Sequence, residues 1–373
     1  MLAGCGPWKA LPRRCIMHPL AATGQVRATH RNRENSARAR APAQPPGNRG
    51  FPSPRQVSWT PATRLSMHAS PPPEAPIART GGGDAPLVSV GLPVFNGESF
   101  LRGAMDSILG QSHANLELII SDNASTDRSA AIAEEYAARD SRVRHFRQPR
   151  NIGATRNYNF VAAHARGKYM KWASANDYCD TAMFAACVEV LESDPGVVLC
   201  YGRTRLVDET TGAARLFDGD FPIIDELPSV RLSRVVTQMS LNNAFNGLIR
   251  ADVLRKTGLI RGYPAGDIVL MAELAMAGKF VLLPQPLLHR RMGPRTFSSQ
   301  LNEVDLRYFL DPEAKSGAGP DRLRMNLDYF RSALRAPIPL GEKRRALAFL
   351  ARCAYWDIRK TFRRPRHASD TRP

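Results

Sequence analysis

From Leu87 onward the chain alternates short, continuous apolar runs with stretches whose apolar residues recur every three or four positions. Leu87 to Val94 is the first run and predicts a strand covered on both faces. Phe100, Leu101, Ala104, Met105, Ile108 and Leu109 follow at helical spacing. The order then repeats. Leu116 to Ile120 predicts a strand running into Ser121, Asp122 and Asn123, and Ala130 to Ala138 predicts a helix through Ile132 and Tyr136. A short strand is expected at Val143 to Phe146, a helix at Asn151 to Ala165 and a strand at Lys168 to Ala173. Ala182 to Leu191 reads as a helix stopped by Asp194-Pro195-Gly196, and Val197 to Tyr201 as a strand. Later, Ile268, Met271, Leu274 and Ala275 mark another helix, and Phe280 to Leu283 a strand ahead of Leu287-Leu288-His289-Arg290-Arg291. Such alternation predicts an α/β fold, a mainly parallel sheet with helices on both faces.

Ligands of such sheets bind beyond the carboxyl ends of the strands. The polar residues delivered there are Asn96 and Glu98 after the first strand, Asp122 and Asn123 after the second, and Asn176 and Asp177 after the fourth. No GxGxxG follows the first strand and no GxxxxGKS occurs, so neither a dinucleotide fingerprint nor a P-loop is present.

The two ends of the chain read differently from this centre. Residues 1–85 are rich in Pro, Arg, Ala and Gly without apolar periodicity, and are expected to be disordered, with Met67 a candidate for the true start. Residues 86–300 form the expected central α/β domain and 301–373 a helical basic region. Within the latter, Leu347, Leu350, Ala354 and Ile358 space out a basic amphipathic helix, read first as packing on the domain and second as touching an anionic membrane surface. Of the formal charge of +18, residues 1–85 carry +9 and residues 341–373 carry +7, which leaves the centre near neutral. A basic nucleic-acid binder, which needs its charge on the fold, is therefore the weakest of the readings. The longest apolar run, Phe280 to Leu288, is broken by Pro284 and Pro286 and is too short to span a membrane. Six cysteines without a CxxC pair disfavour a zinc ribbon or a disulfide framework and fit a reducing, cytoplasmic setting, with the inner membrane face as its possible edge.

Several ordered motifs carry a family resemblance. Val88 to Gly97 (VSVGLPVFNG) resembles the first strand and "P-x-Y-N" turn of glycosyltransferase family 2, the inverting GT-A enzymes, with Phe95 in place of Tyr. Leu118 to Asp127 (LIISDNASTD) resembles its "D-D-x-S-x-D" strand end, and Asn151 to Asn157 (NIGATRN) its "N-x-G-x-x-x-A-R-N" helix start, two residues shorter. The resemblance covers about 200 residues, Val88 to Arg291. It implies a GT-A fold and transfer of a sugar, with inversion, from a nucleotide-diphosphate donor, UDP-linked. The acceptor would be a saccharide or lipid-linked molecule in surface polysaccharide synthesis. A nucleotide-sugar binding module without turnover is the alternative.

The same resemblance distributes roles. Pro93 and Phe95 would wall the base, Asn96 and Glu98 would lie on the nucleotide, and Asp122, which as a carboxylate only accepts, would take a hydrogen bond from the base with Asn123 beside it. Arg156 would lie near the phosphates or pair with Asp122. The family's "D-x-D-D" metal motif is reduced here to Ser174-Ala175-Asn176-Asp177, so Asp177 would supply the carboxylate for Mg or Mn, with the Asn176 carbonyl as a neutral ligand or a ribose contact. Asp267 stands where the family has its general base, and could equally cap the following helix. Asn246-Gly247 resembles the floor beneath the acceptor, Arg290 and Arg291 would stabilise the departing diphosphate, and His289 is read as an ordinary histidine before a metal ligand.

Overall fold

The first apolar run becomes β1 (Val88–Val94), all seven residues buried because neighbours cover both edges and both faces. The computed structural model describes residues 85–293, 303–313 and 321–363. The expected disordered tail and the Met67 start lie outside the described residues, apart from Ala85. After β1 come α1 (Glu98–Leu109), β2 (Leu116–Asp122), α2 (Ser129–Arg139), β3 (Val143–Arg147), α3 (Ala154–Ala163), β4 (Tyr169–Trp172), β5 (Tyr178–Cys179) and α4 (Met183–Ser193). Then follow β6 (Val197–Asp208), β7 (Ala214–Leu216), α5 (Pro228–Gln238), β8 (Leu248–Arg250), α6 (Ala251–Leu254), α7 (Gly266–Ala277) and β9 (Lys279–Met292). Three helices close the described chain: α8 (Glu303–Leu310), α9 (Asp321–Arg335) and α10 (Leu340–Arg363).

The strands form one sheet in the order β3-β2-β1-β4-β8-β6-β9-β5, with β7 on β6. β1 runs parallel to β2 and β4, β2 to β3, and β6 to β9. β8 is antiparallel to both β4 and β6, as are β5 to β9 and β7 to β6. The sheet is thus mixed but mainly parallel: β3, β2, β1, β4, β6 and β9 run one way, and the short β8, β5 and β7 run against them. The inserted β8 has three residues, too few to print a pattern on the sequence. β9 also departs from expectation, running unbroken through Pro284 and Pro286. Its register against β6 shifts at Gly202/Arg203, where Leu283 and Pro286 are successive partners, so the prolines sit in a bulge that needs no ladder donor. A Cβ at Gly202 would lie 2.6 Å from Leu287 Cβ, hence the glycine opposite that bulge.

Side-chain alternation along the strands builds a core on each face. Leu118 and Ile120 join Leu101, Met105 and Phe184 on one side, while Ile119 joins Val161, Trp172 and Leu270 on the other. The second core extends to α9 and α10, where Tyr329, Ala346 and Leu350 are buried. α10 is therefore a packed helix over its first half. Tyr355 and Trp356 in its second half are exposed.

Strand order reverses direction between β1 and β4, the point where an open sheet leaves a crevice. The last β1–β4 pair is Gly91 with Trp172, and beyond it β1 continues beside β2 alone. Pro93, which lacks an N–H, occupies the first position whose missing partner faces that gap.

Candidate active site

Two strand-end loops brace each other at one side of the crevice. Asn96, held at φ +50°, accepts the Thr126 N–H through Oδ1 at 2.9 Å, and Glu98 Oε2 accepts the Arg128 N–H at 2.9 Å. In return Asp127 Oδ2 accepts the Glu98 N–H at 3.0 Å and Ser129 Oγ the Gly97 N–H at 2.9 Å. Each loop caps the helix that follows the other. Burial works against the Asp127 carboxylate, but the donors from Ser129 and Glu98 outweigh it and hold its pKa below the usual range. Asn96 and Glu98, expected on the nucleotide, thus spend their polar atoms on tying the loops.

Asp122 at the end of β2 is fully buried. Its Oδ1 accepts the Ser125 N–H at 3.1 Å, which holds the loop between β2 and α2. Its Oδ2 has no hydrogen-bond partner, and its nearest cation is Arg147 Nε at 3.4 Å. The orphaned oxygen leaves one acceptor free. Asn123 Nδ2 donates to Asn151 Oδ1 at 2.8 Å, and its Oδ1 takes the Ile152 N–H at 2.9 Å, binding the second strand end to the turn before α3. Arg156 does not pair with Asp122. Its guanidinium reaches Glu313 at 2.8 Å and Asp311 at 3.6 Å, because the chain after α8 crosses the start of α3 at Gly153.

Across the crevice, the turn after β4 meets the first loop where Gly97 approaches Ala175. Asp177 is buried, and Oδ1 accepts the Arg291 N–H at 3.1 Å. Burial pushes its carboxyl up to about 6, against the lowering pull of Arg290, the Arg291 N–H and Lys171. Arg291 Nη1 donates to the Asn176 carbonyl at 2.9 Å, and its guanidinium lies over the rings of Phe100 and Tyr178 at 5.1 and 4.8 Å. His289 stacks on Tyr178 with centroids 4.5 Å apart, and burial, with Arg205 nearby, lowers its pKa and favours the neutral ring.

Asp267 lies half-buried in the first turn of α7, not at its cap. The cap is Ala265, strained at φ +64°, and a Cβ on Gly266 would collide with the Arg261 carbonyl, so the backbone here is tightly specified. Asn242 Nδ2 donates to Asp267 Oδ2 at 2.9 Å. The next residue, Asn243, donates to Asp220 Oδ1 at 2.9 Å and accepts from Arg290 Nη1 at 2.9 Å. Two adjacent asparagines therefore tether Asp267 and Arg290. Gly247 is small for a packing reason, since a Cβ there would lie 2.7 Å from the Cys200 carbonyl oxygen.

Tyr158 on α3 ties the far side together. Burial raises its pKa, and Asp177, Arg290 and Asp267 all act on it electrostatically. Asp177 in the turn after β4, Asp267 on α7 and Arg290 on β9 thus all act on one side chain, although Asp177 and Arg290 are 113 residues apart. Sequence reasoning did not single out Tyr158, Asn242 or Lys171, because nothing local distinguishes them. Lys171 is fully buried, donating to the Asn246 carbonyl at 2.6 Å and the Trp172 carbonyl at 3.1 Å.

A family profile described as Glycosyl transferase family 2 matches residues 89–239. The glycosyltransferase GlyG of Streptococcus pneumoniae is 32% identical over 238 residues, 60% of this chain and 76% of that one. The uncharacterized glycosyltransferase EpsJ of Bacillus subtilis is 37% identical over 110 residues, 29% of this chain and 31% of its own length. The chain thus spans about a third of that relative. S. aureus TarS 1–349, solved in complex with UDP, superposes with a TM-score of 0.51 at 15% identity, covering 71% of each chain, and so shares the fold. On the motifs, the fold and the length shared with GlyG, the chain belongs to glycosyl transferase family 2.

Proposed function

We propose that the chain transfers a sugar, with inversion, from a nucleoside-diphosphate donor to a saccharide or lipid-linked acceptor. The reading rests on the adjacent Asn242 and Asn243, which tether an acid on α7, Asp267, and a guanidinium on β9, Arg290, both acting on Tyr158. Asp267 takes the proton of the acceptor hydroxyl as that oxygen bonds the anomeric carbon. The bond from that carbon to the diphosphate breaks on the opposite face, which inverts the centre, and the nucleoside diphosphate departs with the electron pair. Arg290 and Arg291 meet the charge that grows on it. Pro93 and Phe95 line the end of β1 for the base, and the free Oδ2 of Asp122 suits a donating base edge such as the uracil imide. The UDP bound by the TarS fold supports a uridine-linked donor. The names of the Bacillus relatives EpsJ and EpsH hint at extracellular polysaccharide.

Enzymes of this family commonly use a divalent cation, and Asp177 is the residue that would hold it. Hard cations ask for several anionic or neutral oxygens. Asp177 already accepts the Arg291 N–H, and among the described residues no three acids, histidines or cysteines converge. The donors do not fit, and no step above runs through a metal.

No helix of the described residues is long and apolar enough to cross a membrane. Exposed Tyr355 and Trp356, with Arg359 over both rings at 5.8 and 5.6 Å, suit peripheral contact with an anionic inner-membrane surface from the cytoplasm. NMR of the transferred sugar tests the chemistry: the anomeric configuration opposite to the donor's is expected, and retention would overturn the single displacement.

A further inference from the structure

We infer that this chain neutralises the departing diphosphate with its own fixed cations, Arg290 and Arg291, in place of a divalent metal ion. The inference rests on the nucleoside-diphosphate reading above. The first observation is the donor set. In Ser174-Ala175-Asn176-Asp177 one position is acidic, and that acid is enclosed, with one oxygen bonded to the Arg291 N–H at 3.1 Å.

The second is the charge already around it. Lys171, Arg290 and Arg291 all act on Asp177. A doubly charged ion set among three cations and one carboxylate meets net repulsion, and only the incoming phosphates would offset it.

The third is how the guanidiniums are held. Arg290 uses Nη1 on Asn243 Oδ1, at 2.9 Å, and Arg291 uses Nη1 on the Asn176 carbonyl, at 2.9 Å. Each leaves donors of its planar fork for phosphate oxygens. Arg291 is further fixed between Phe100 and Tyr178. Asn176 therefore serves as an anchor for a cation through its backbone. Asp177 balances Lys171 and pins the Arg291 backbone. Alternation along β9 sends Arg290 toward Asn243 on one face and Arg291 toward Phe100 and Tyr178 on the other.

UDP titrated calorimetrically into the full chain, first in EDTA and then in Mn²⁺, tests this. The expected affinity is the same within about twofold in both, and Arg290→Gln weakens UDP at least about tenfold in EDTA, the loss of a charge-assisted hydrogen bond, while leaving uridine binding unchanged. Asn176→Asp, which restores a second acid, is expected to make UDP binding respond to Mn²⁺. Wild-type affinity that rises about tenfold or more with Mn²⁺ would overturn the inference, as would an unaltered UDP affinity in Arg290→Gln. An Asn176→Asp chain indifferent to Mn²⁺ would contradict the donor-count argument. If neither UDP nor GDP binds with or without metal, the nucleoside-diphosphate reading itself fails, and the inference falls with it.

Discussion

At single residues, proton transfer turns on which oxygen of Asp267 is engaged. Asn242 holds Oδ2 at 2.9 Å and leaves Oδ1 for an acceptor hydroxyl. Asn242 is itself buried, with an amide oxygen that has no partner, so its one bond is a directed one. Asn242→Ala is expected to lower kcat roughly tenfold or more, the cost of one hydrogen bond to a charged group, with UDP affinity unchanged. Steady-state kinetics beside calorimetry checks that split. Asp122, Asp177 and Asp267 were all legible in the sequence as acids at strand or helix ends. Asn96 and Glu98 were legible as polar but not in role, because a loop-to-loop cap pairs residues about 30 apart and leaves no local spacing to read. Arg156 misled for a similar reason: its partners Asp311 and Glu313 come from a distant segment.

At the scale of elements, β2 carries a second buried acid with a structural duty. Glu117 accepts from Ser89 Oγ at 2.6 Å, the Arg166 N–H at 2.8 Å and Arg144 Nη1 at 2.8 Å, joining β1, β3 and the turn before β4. Burial raises its pKa, but these donors outweigh burial and the net shift is downward. A depressed carboxylate stabilises the fold above its unfolded pKa and loses that contribution as pH falls through the folded value. Glu117→Gln is therefore expected to cost about 1–3 kcal/mol at neutral pH, a cost that shrinks as the buffer is taken below the ordinary glutamate range. Urea titrations across that range measure it. On α7, Ala265→Gly relieves a left-handed alanine and is expected to raise stability by about 1 kcal/mol, read as a higher urea midpoint at constant slope. Elements with long buried runs, β1, β2 and the first part of β6, were readable within a few residues. β5, β7 and β8 have two or three residues each, too short for a period to register.

For the whole molecule, charge and topology divide the labour. The near-neutral centre builds the crevice at the β1/β4 reversal, while the basic excess near the C-terminus begins on α10. Vesicle sedimentation is expected to retain the full chain on acidic lipid at low salt and release it near 0.5 M salt, where the Debye length falls to roughly 4 Å. Arg352→Glu with Arg359→Glu should weaken that retention, and equal binding to neutral lipid would count against the surface. The parallel strands of the sheet followed from the alternation of strands and helices. The short antiparallel strands did not, since β8 enters between β4 and β6 by tertiary pairing alone.

The central claim is that Asp267 receives the acceptor's proton in a cleft that holds the donor through other residues. Its most direct test compares wild type with Asp267→Asn for nucleoside diphosphate released from a panel of nucleotide sugars, alongside calorimetric UDP binding. Release by wild type, a fall of about 10²-fold or more in the variant, and the same UDP affinity in both are expected. Release at the wild-type rate from Asp267→Asn would contradict that role for Asp267.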